Sequence, residues 1–125
     1  MKIAILDDEL HCVESLVLHL HSLFPEFSVV YKSTNPVEAL SKLQEIDFDL
    51  LFLDIEMPIM NGFELLNNME EVTFDVIFTT AYSQYAVKAF KAQAINYLLK
   101  PIDEEELKNA LLTYKANKEV SIRTP

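Results

Sequence analysis

Five short apolar segments, each followed by an amphipathic stretch, dominate the pattern of this sequence. The segments are predicted strands at 3–6, 27–31, 49–53, 76–78 and 95–99. After each of them, apolar residues recur every three or four positions, which is typical of a helix with one buried face. Five strands alternating with five helices predict an α/β domain with a parallel sheet. Because residues 50–53 are apolar on both faces, we expect the third strand to be fully buried.

Local signals predict where several helices begin and end. Pro25 is expected to end the first helix. Asn35 is expected to cap the second helix, with Glu38 completing a capping box and Val37 lying in the buried stripe. Asp103 is expected to cap the last helix, which begins with three glutamates that suit the helix dipole.

Composition excludes several classes of function. The chain has a single glycine, Gly62, whereas dinucleotide-binding and phosphate-binding loops each need more than one. That glycine is expected to supply backbone freedom after Asn61. A net charge of −10 argues against nucleic-acid contact by this domain. One cysteine, an acidic N-terminal segment unlike a signal peptide and the absence of a long apolar run predict a cytoplasmic protein without membrane contact.

Reactive side chains follow four of the five predicted strands. Asp7 and Asp8 end the first strand, Asp54 the third, Thr80 the fourth and Lys100 the fifth. In a flavodoxin-like, doubly wound sheet of order 2-1-3-4-5, the first and third strands are neighbours, so the three aspartates converge. Two carboxylates about 4 Å apart repel by about 4 kcal/mol at an effective dielectric constant near 20. This crowding predicts a divalent cation, and an all-oxygen site with few protein ligands suits Mg²⁺.

A carboxylate beside Mg²⁺, a lysine and a hydroxyl group can carry out phosphoryl transfer. The carboxylate attacks phosphorus and becomes an aspartyl phosphate, while the cations neutralise charge on the phosphoryl oxygens. No histidine or cysteine ends a predicted strand, which argues against acyl transfer through either.

The sequence resembles the receiver domain of two-component response regulators over residues 2 to about 118. The motifs that carry the resemblance are Asp7-Asp8, Asp54 within LDIEMP, Thr80 and Lys100-Pro101. Each motif alone is weak, but together they occur in the family's order and at strand ends. The resemblance implies that Asp54 is the phosphoacceptor and that Thr80 and Lys100 hold the phosphoryl group.

The resemblance also implies individual roles around this site. Asp8, Asp54 and the backbone carbonyl of Glu56 would ligate Mg²⁺, and Asp7 would bind the ion through water. Tyr97 matches the family's aromatic switch position. Such a domain is a switch that catalyses its own phosphoryl transfer and dephosphorylation, and is not otherwise an enzyme.

Two further expectations concern the loops at the site. Glu56 and Tyr82 lie two residues after Asp54 and Thr80, so their side chains can reach the path of an attacking water. We expect the Tyr82 ring to shield the acyl phosphate and to lengthen its lifetime. The Lys100–Pro101 bond is expected to be cis, which would direct Lys100 towards the third strand.

Partners and domain limits follow from the same resemblance. The segments AYSQYAVKAF and NYLLKPI are similar to receivers joined to LytTR-type DNA-binding domains. Residues 1–119 are expected to form the receiver domain and residues 120–125 the start of a linker or tail. A sensor histidine kinase would be the phosphoryl donor, and a transcriptional output domain would lie outside this sequence. Phosphorylation is expected to favour homodimers through the fourth helix, fifth strand and fifth helix.

Three other interpretations stay open from the sequence. The chain could be a stand-alone receiver that acts by protein contacts, or a pseudo-receiver that docks without phosphorylation. A phosphohydrolase of the haloacid dehalogenase type is disfavoured, because that family places its nucleophile after the first strand. His11, Cys12, His19 and His21 share the first helix and are expected to have no ligand role.

Overall fold

Strands and helices alternate along the whole of the described chain. A computed structural model describes the backbone of residues 1–123 and the side chains of residues 1–119. The strands are β1 (Lys2–Leu6), β2 (Ser28–Ser33), β3 (Leu50–Asp54), β4 (Asp75–Thr80) and β5 (Asn96–Leu99). The helices are α1 (Leu10–Leu23), α2 (Pro36–Leu43), α3 (Gly62–Asn67), α4 (Ala86–Lys91) and α5 (Glu104–Arg123). A 3₁₀ turn, Ser83–Tyr85, precedes α4.

The strands form one parallel sheet of order β2-β1-β3-β4-β5, so the predicted flavodoxin-like fold is confirmed. Leu53 in β3 pairs with Leu6 in β1 and with Phe78 in β4. The carboxyl ends of these strands therefore reach the same edge of the sheet.

Helices cover both faces of the sheet, which explains why β3 is apolar throughout. Leu51 and Leu53 pack into a core with residues of α2, α3 and α4. Leu50 and Phe52 pack on the opposite face with residues of α1 and α5. All four side chains are buried, as the prediction for the third strand required.

Gly62 is required by a close approach between α3 and the end of β3, and the expected role in backbone freedom is wrong. Its backbone is outside the left-handed region. A Cβ atom at this position would lie 2.6 Å from the carbonyl oxygen of Asp54. The Gly62 N–H donates to the carbonyl oxygen of Ile55 at 3.0 Å. The glycine thus lets α3 start directly against the segment that carries Asp54.

The capping box predicted at α2 occurs instead at α3. Asn35 does cap α2, since its Oδ1 accepts the Glu38 N–H at 3.2 Å. Its own N–H, however, donates to Ser33 Oγ at 3.0 Å, so Glu38 does not complete the box. At α3, Asn61 Oδ1 accepts the Glu64 N–H, and Glu64 Oε1 accepts the Asn61 N–H. Ser33, at the end of β2, therefore takes the N–H that a capping box at α2 would need.

The buried face of α2 also differs from the prediction. Val37 is 50% exposed, whereas Pro36, Ala39 and Leu43 are the buried residues of this helix. These three residues are spaced three and four positions apart and form one face of the helix, and Val37 lies outside that face.

Helix α5 starts as predicted and extends further than the predicted domain limit. The Glu106 N–H donates to Asp103 Oδ2 at 3.0 Å, which is the expected cap. The backbone of residues 120–123 continues the helix. The linker or tail over 120–125 stays a prediction, and residues 124 and 125 lie outside the described residues. Across the described part of the chain, no helix combines the length and hydropathy needed to cross a membrane.

Candidate functional site

The carboxyl ends of four strands bring the predicted side chains together at one edge of the sheet. Asp7 follows β1, Asp54 and Thr80 end β3 and β4, and Lys100 follows β5. Lys100 Nζ lies 2.7 Å from Asp7 Oδ2 and 3.3 Å from Asp54 Oδ1. The lysine therefore reaches past β4 and pairs with the acids of β1 and β3. The predicted cis Lys100–Pro101 bond is confirmed.

Three carboxylates crowd this edge. Asp7, Asp8 and Asp54 each contribute one oxygen to a cluster whose atoms lie within 4.8 Å of one another. Asp54 is only 2% exposed, and Asp7 is also buried. The buried Oδ1 of Asp8 has no hydrogen-bond partner among the described residues. An unpartnered carboxylate oxygen beside two further carboxylates fits a hard divalent cation such as Mg²⁺.

Burial and neighbouring charge perturb both ends of the central ion pair. Burial raises the pKa of Asp54 to about 8, with further contributions from the Asp8 hydrogen bond and the Asp7 charge, and Lys100 opposes the rise. For Lys100, burial lowers the pKa, but the hydrogen bond to Asp7 and the charge of Asp54 outweigh it and raise the pKa. A cation at the cluster would favour the ionised Asp54 that nucleophilic attack needs.

Thr80 and Tyr97, the predicted switch residues, are connected through the backbone of Tyr82. The buried Thr80 Oγ1 accepts a hydrogen bond from the Tyr82 N–H at 3.2 Å. The hydroxyl of Tyr97 donates to the carbonyl oxygen of Tyr82. A change in the position of Thr80 would therefore act on the residue that holds Tyr97.

The two side chains predicted to affect phosphate lifetime are linked by a third. The carboxylate of Glu56 accepts a hydrogen bond from the Tyr85 hydroxyl. The Tyr82 ring is 51% exposed and packs edge-on against the Tyr85 ring, with centroids 6.4 Å apart. The roles of Glu56 and Tyr82 stay predictions. Tyr85 thus joins Glu56, in the β3–α3 loop, to Tyr82, which follows β4.

Glu9 and Tyr85 were missed by the sequence analysis. Glu9 donates its N–H to Asp7 Oδ1 at 3.0 Å, and its Oε1 lies 3.8 Å from Lys100 Nζ. Its position directly after the acidic pair was an available signal. Tyr85 had no comparable signal, because its contact with Glu56 joins residues 29 positions apart.

Sequence comparison identifies the domain type over most of the chain. The model for the response regulator receiver domain matches residues 3–112. The chain is 34% identical to the sensory transduction protein LytT of Bacillus cereus over 126 residues, covering 99% of this chain and 51% of LytT. It is 38% identical to the transcriptional regulatory protein BtsR of Escherichia coli strain K12 over 112 residues, covering 89% of this chain and 46% of BtsR. The chain thus spans about half the length of these relatives.

Two solved structures that this chain resembles also come from response regulators. The response regulatory domain of mrkE from Klebsiella pneumoniae matches with a TM-score of 0.86 and 29% identity, covering 95% of this chain and 98% of that one. TrrA from Thermotoga maritima, solved in complex with Mg²⁺ and BeF, matches with a TM-score of 0.77 and 30% identity, covering 90% and 96%. Fold, strand-end residues and similarity agree: this chain belongs to the receiver domain family of two-component response regulators.

Proposed function

We propose that this receiver domain accepts a phosphoryl group from a partner sensor histidine kinase onto Asp54 and works as a phosphorylation-dependent switch. The observation that carries the proposal is the Asp54 carboxylate, which is buried at the sheet edge, 3.3 Å from Lys100 and clustered with Asp7 and Asp8. A buried carboxylate so placed lies beside both a cationic side chain and two further acids.

The transfer needs a nucleophile and compensation of negative charge. An Asp54 oxygen attacks the phosphorus of the kinase phosphohistidine, the P–O bond forms, and the P–N bond breaks as the imidazole leaves. Lys100 lies close enough to Asp54 to pair with a phosphoryl oxygen, and the Thr80 hydroxyl can donate to another. Water later attacks the acyl phosphate, which restores the Asp54 carboxylate and releases phosphate.

The acidic cluster would hold Mg²⁺. Asp8, Asp54 and the backbone carbonyl of Glu56 would be direct ligands, and Asp7 would bind through water. When bound, the ion neutralises charge on the phosphoryl oxygens. The support in this chain is the convergence of three carboxylates and the unpartnered buried oxygen of Asp8.

The Thr80–Tyr82–Tyr97 connection supports a route from phosphorylation to the surface. The Thr80 hydroxyl accepts the Tyr82 N–H, so a shift of Thr80 towards a phosphoryl group would pull on or break this bond. Tyr82 also accepts the Tyr97 hydroxyl, so Tyr97 would change its packing when the loop moves. A ligand shifts such an equilibrium only by its preference for one state, and the Thr80–phosphoryl bond supplies that preference.

The surface that receives this change is apolar. Phe90 and Val87 on α4 are 82% and 67% exposed, and Leu99 on β5 is also exposed. We propose that phosphorylation favours homodimers through α4, β5 and α5. Equal association in analytical ultracentrifugation with and without a phosphoryl mimic would remove this part of the proposal.

We propose that the output of the switch is a further domain of a longer polypeptide. LytT and BtsR carry names of sensory transduction and transcriptional regulation, and both are about twice as long as this chain. We propose that the natural polypeptide is cytoplasmic and continues into a LytTR-type DNA-binding domain, which alone contacts DNA. Reading the coding sequence beyond residue 125 decides between this and a stand-alone receiver.

Phosphorylation at Asp54 is tested with acetyl phosphate, Mg²⁺ and intact-mass spectrometry. The wild-type chain should gain the mass of one phosphoryl group, and Asp54→Asn should show no adduct. Asp47→Asn is the matched control, because Asp47 is an exposed acid. An adduct of comparable yield on Asp54→Asn would overturn the assignment.

A further inference from the structure

Three side chains with different metal-binding atoms meet where α1 begins, separate from the aspartate cluster. His11 Nε2 lies 3.6 Å from Cys12 Sγ and 3.6 Å from Glu9 Oε2. The donor atoms of all three residues lie within 4.8 Å of one another. His11 and Cys12 were expected to have no ligand role, because helical spacing offered them no third partner. Glu9, which precedes the helix, provides that partner.

The two distances suit shared coordination, and only the Cys12–His11 contact is also within hydrogen-bonding range. An N–H···O hydrogen bond is usually about 2.7–3.2 Å long, and the His11–Glu9 distance exceeds this range. Both contacts also converge on a single ring nitrogen, which can make only one of them as an ordinary hydrogen bond. Zinc–sulfur bonds of about 2.3 Å and zinc–nitrogen bonds of about 2.0–2.1 Å place tetrahedral S and N ligands about 3.6 Å apart. The His11–Cys12 distance of 3.6 Å matches this separation.

The surroundings favour a cation and give it access. Glu9 and His11 are exposed and Cys12 is partly buried, and all three border a cavity of about 490 Å³. The same cavity reaches Asp7 and Lys100 of the phosphorylation site. The net charge of −10 adds a favourable field for a divalent ion. Water in the cavity can supply a fourth ligand.

The donor set decides which ion would bind. Thiolate and imidazole are ligands of Zn²⁺ and similar borderline ions, whereas Mg²⁺ takes oxygen ligands. We propose that Glu9, His11 and Cys12 form a second cation site, specific for Zn²⁺-like ions and distinct from the aspartate cluster. Binding forms one bond each to sulfur, nitrogen and oxygen, and the thiol proton leaves to solvent.

Co²⁺, which occupies zinc sites and absorbs light, is the probe for this site. The untagged chain is titrated with Co²⁺ in the presence of a reductant and excess Mg²⁺, which occupies the aspartate cluster. We expect thiolate-to-Co²⁺ charge-transfer absorption in the near ultraviolet, and its loss when Zn²⁺ is added. Cys12→Ser should remove the absorption, and His11→Ala and Glu9→Gln should each weaken Co²⁺ affinity tenfold or more.

Two controls make the test specific. His21→Ala changes an exposed histidine of the same helix and should leave the Co²⁺ affinity unchanged. Asp47→Asn removes an exposed negative charge outside the aspartate cluster and should also leave it unchanged. Far-ultraviolet circular dichroism checks that each variant is folded. Absence of charge-transfer absorption in the wild type, or equal Co²⁺ affinity in folded His11→Ala, would overturn the proposal.

Discussion

The sheet has one edge where its strands begin and one where they end. The two edges carry similar side chains, but these side chains are paired differently. Where the strands begin, Asp75 Oδ2 accepts the Tyr114 hydroxyl at 2.8 Å and lies 2.9 Å from Lys118 Nζ. Where the strands end, Lys100 is shared between two carboxylates, and Asp8 Oδ1 has no partner among the described residues. Acids, a lysine and a hydroxyl thus occur at both edges. Where the strands end, three clustered carboxyl groups lie beside Lys100.

The pKa values of Tyr114 and Asp54 show the same difference between the two edges. At the first edge, burial and the hydrogen bond to Asp75 raise the pKa of Tyr114, so the phenol keeps its proton and remains a donor. At the second edge, burial raises the pKa of Asp54 to about 8, so ionisation works against folding. The paired side chains at the first edge stabilise the domain. The incompletely paired acids at the second edge leave groups that a ligand can bind.

The largest difference between the edges is expected from removing each lysine. Lys100→Met should slow phosphorylation by acetyl phosphate a hundredfold or more, which is at least about 2.7 kcal/mol, because the charge beside Asp54 is lost. Lys118→Met removes a lysine from the other edge and should change the rate less than twofold. Adduct formation followed by intact mass measures both. Similar losses in the two variants would contradict the functional distinction between the edges.

The dependence of the free energy of unfolding on pH should also distinguish the two edges. Asp54 is ionised in the unfolded chain above about pH 4 and keeps its proton in the folded chain up to about pH 8. The folded state therefore binds more protons in this interval, and the free energy of unfolding falls as pH rises. Without Mg²⁺, Asp54→Asn should be more stable than wild type by about 2 kcal/mol near pH 8. This is less than the full rise in the pKa of Asp54 implies, because the site adjoins solvent.

Urea denaturation in the presence of a chelator measures this effect. Added Mg²⁺ should stabilise the wild-type chain and leave Asp54→Asn nearly unchanged. Asp75→Asn, the matched variant at the other edge, should be less stable than wild type because it weakens a paired acid. Equal stability of Asp54→Asn and wild type at high pH would show that the ionised aspartate carries no folding cost.

A smaller effect is expected from the phenol at the first edge. Tyr114→Phe removes the hydrogen bond to Asp75 and should lower the free energy of unfolding by about 1 kcal/mol. Because the residue lies at the opposite edge from Asp54, the phosphorylation rate should not change. Denaturation and adduct formation on the same sample measure both quantities. A fall in rate greater than twofold would indicate that the two edges are coupled.

The smallest predicted effect concerns phosphate lifetime. The exposed Tyr82 ring packs on Tyr85 beside Glu56, and its removal should open the path for water. Tyr82→Ala is expected to speed the loss of phosphate two- to threefold, followed as decay of the mass adduct in excess Mg²⁺. Val87→Ala, on the exposed face of α4, is the control and should leave the decay unchanged. Unchanged or slower decay in Tyr82→Ala would show that the lifetime is set elsewhere.

The sequence by itself determined the alternation of elements and the convergence of Asp7, Asp54, Thr80 and Lys100. Apolar periodicity is a local property, and a polar residue that ends a buried parallel strand must lie at one edge of the sheet. These two facts, together with the strand order of a flavodoxin-like sheet, were sufficient to place the side chains together and to identify their chemistry. The resemblance added the individual roles.

Tertiary structure decided the contacts between loops and the packing of single residues. The close approach at Gly62, the Glu56–Tyr85 hydrogen bond and the Glu9–His11–Cys12 cluster depend on where one segment lies against another. No capping box forms at α2, because Ser33 Oγ accepts the N–H of Asn35. Sequence periodicity indicates the buried face of most elements, although in α2 it predicted Val37 to be buried and the packed chain leaves it half exposed. Distances of a few ångströms between loops depend on backbone paths and side-chain rotamers that only the packed chain selects.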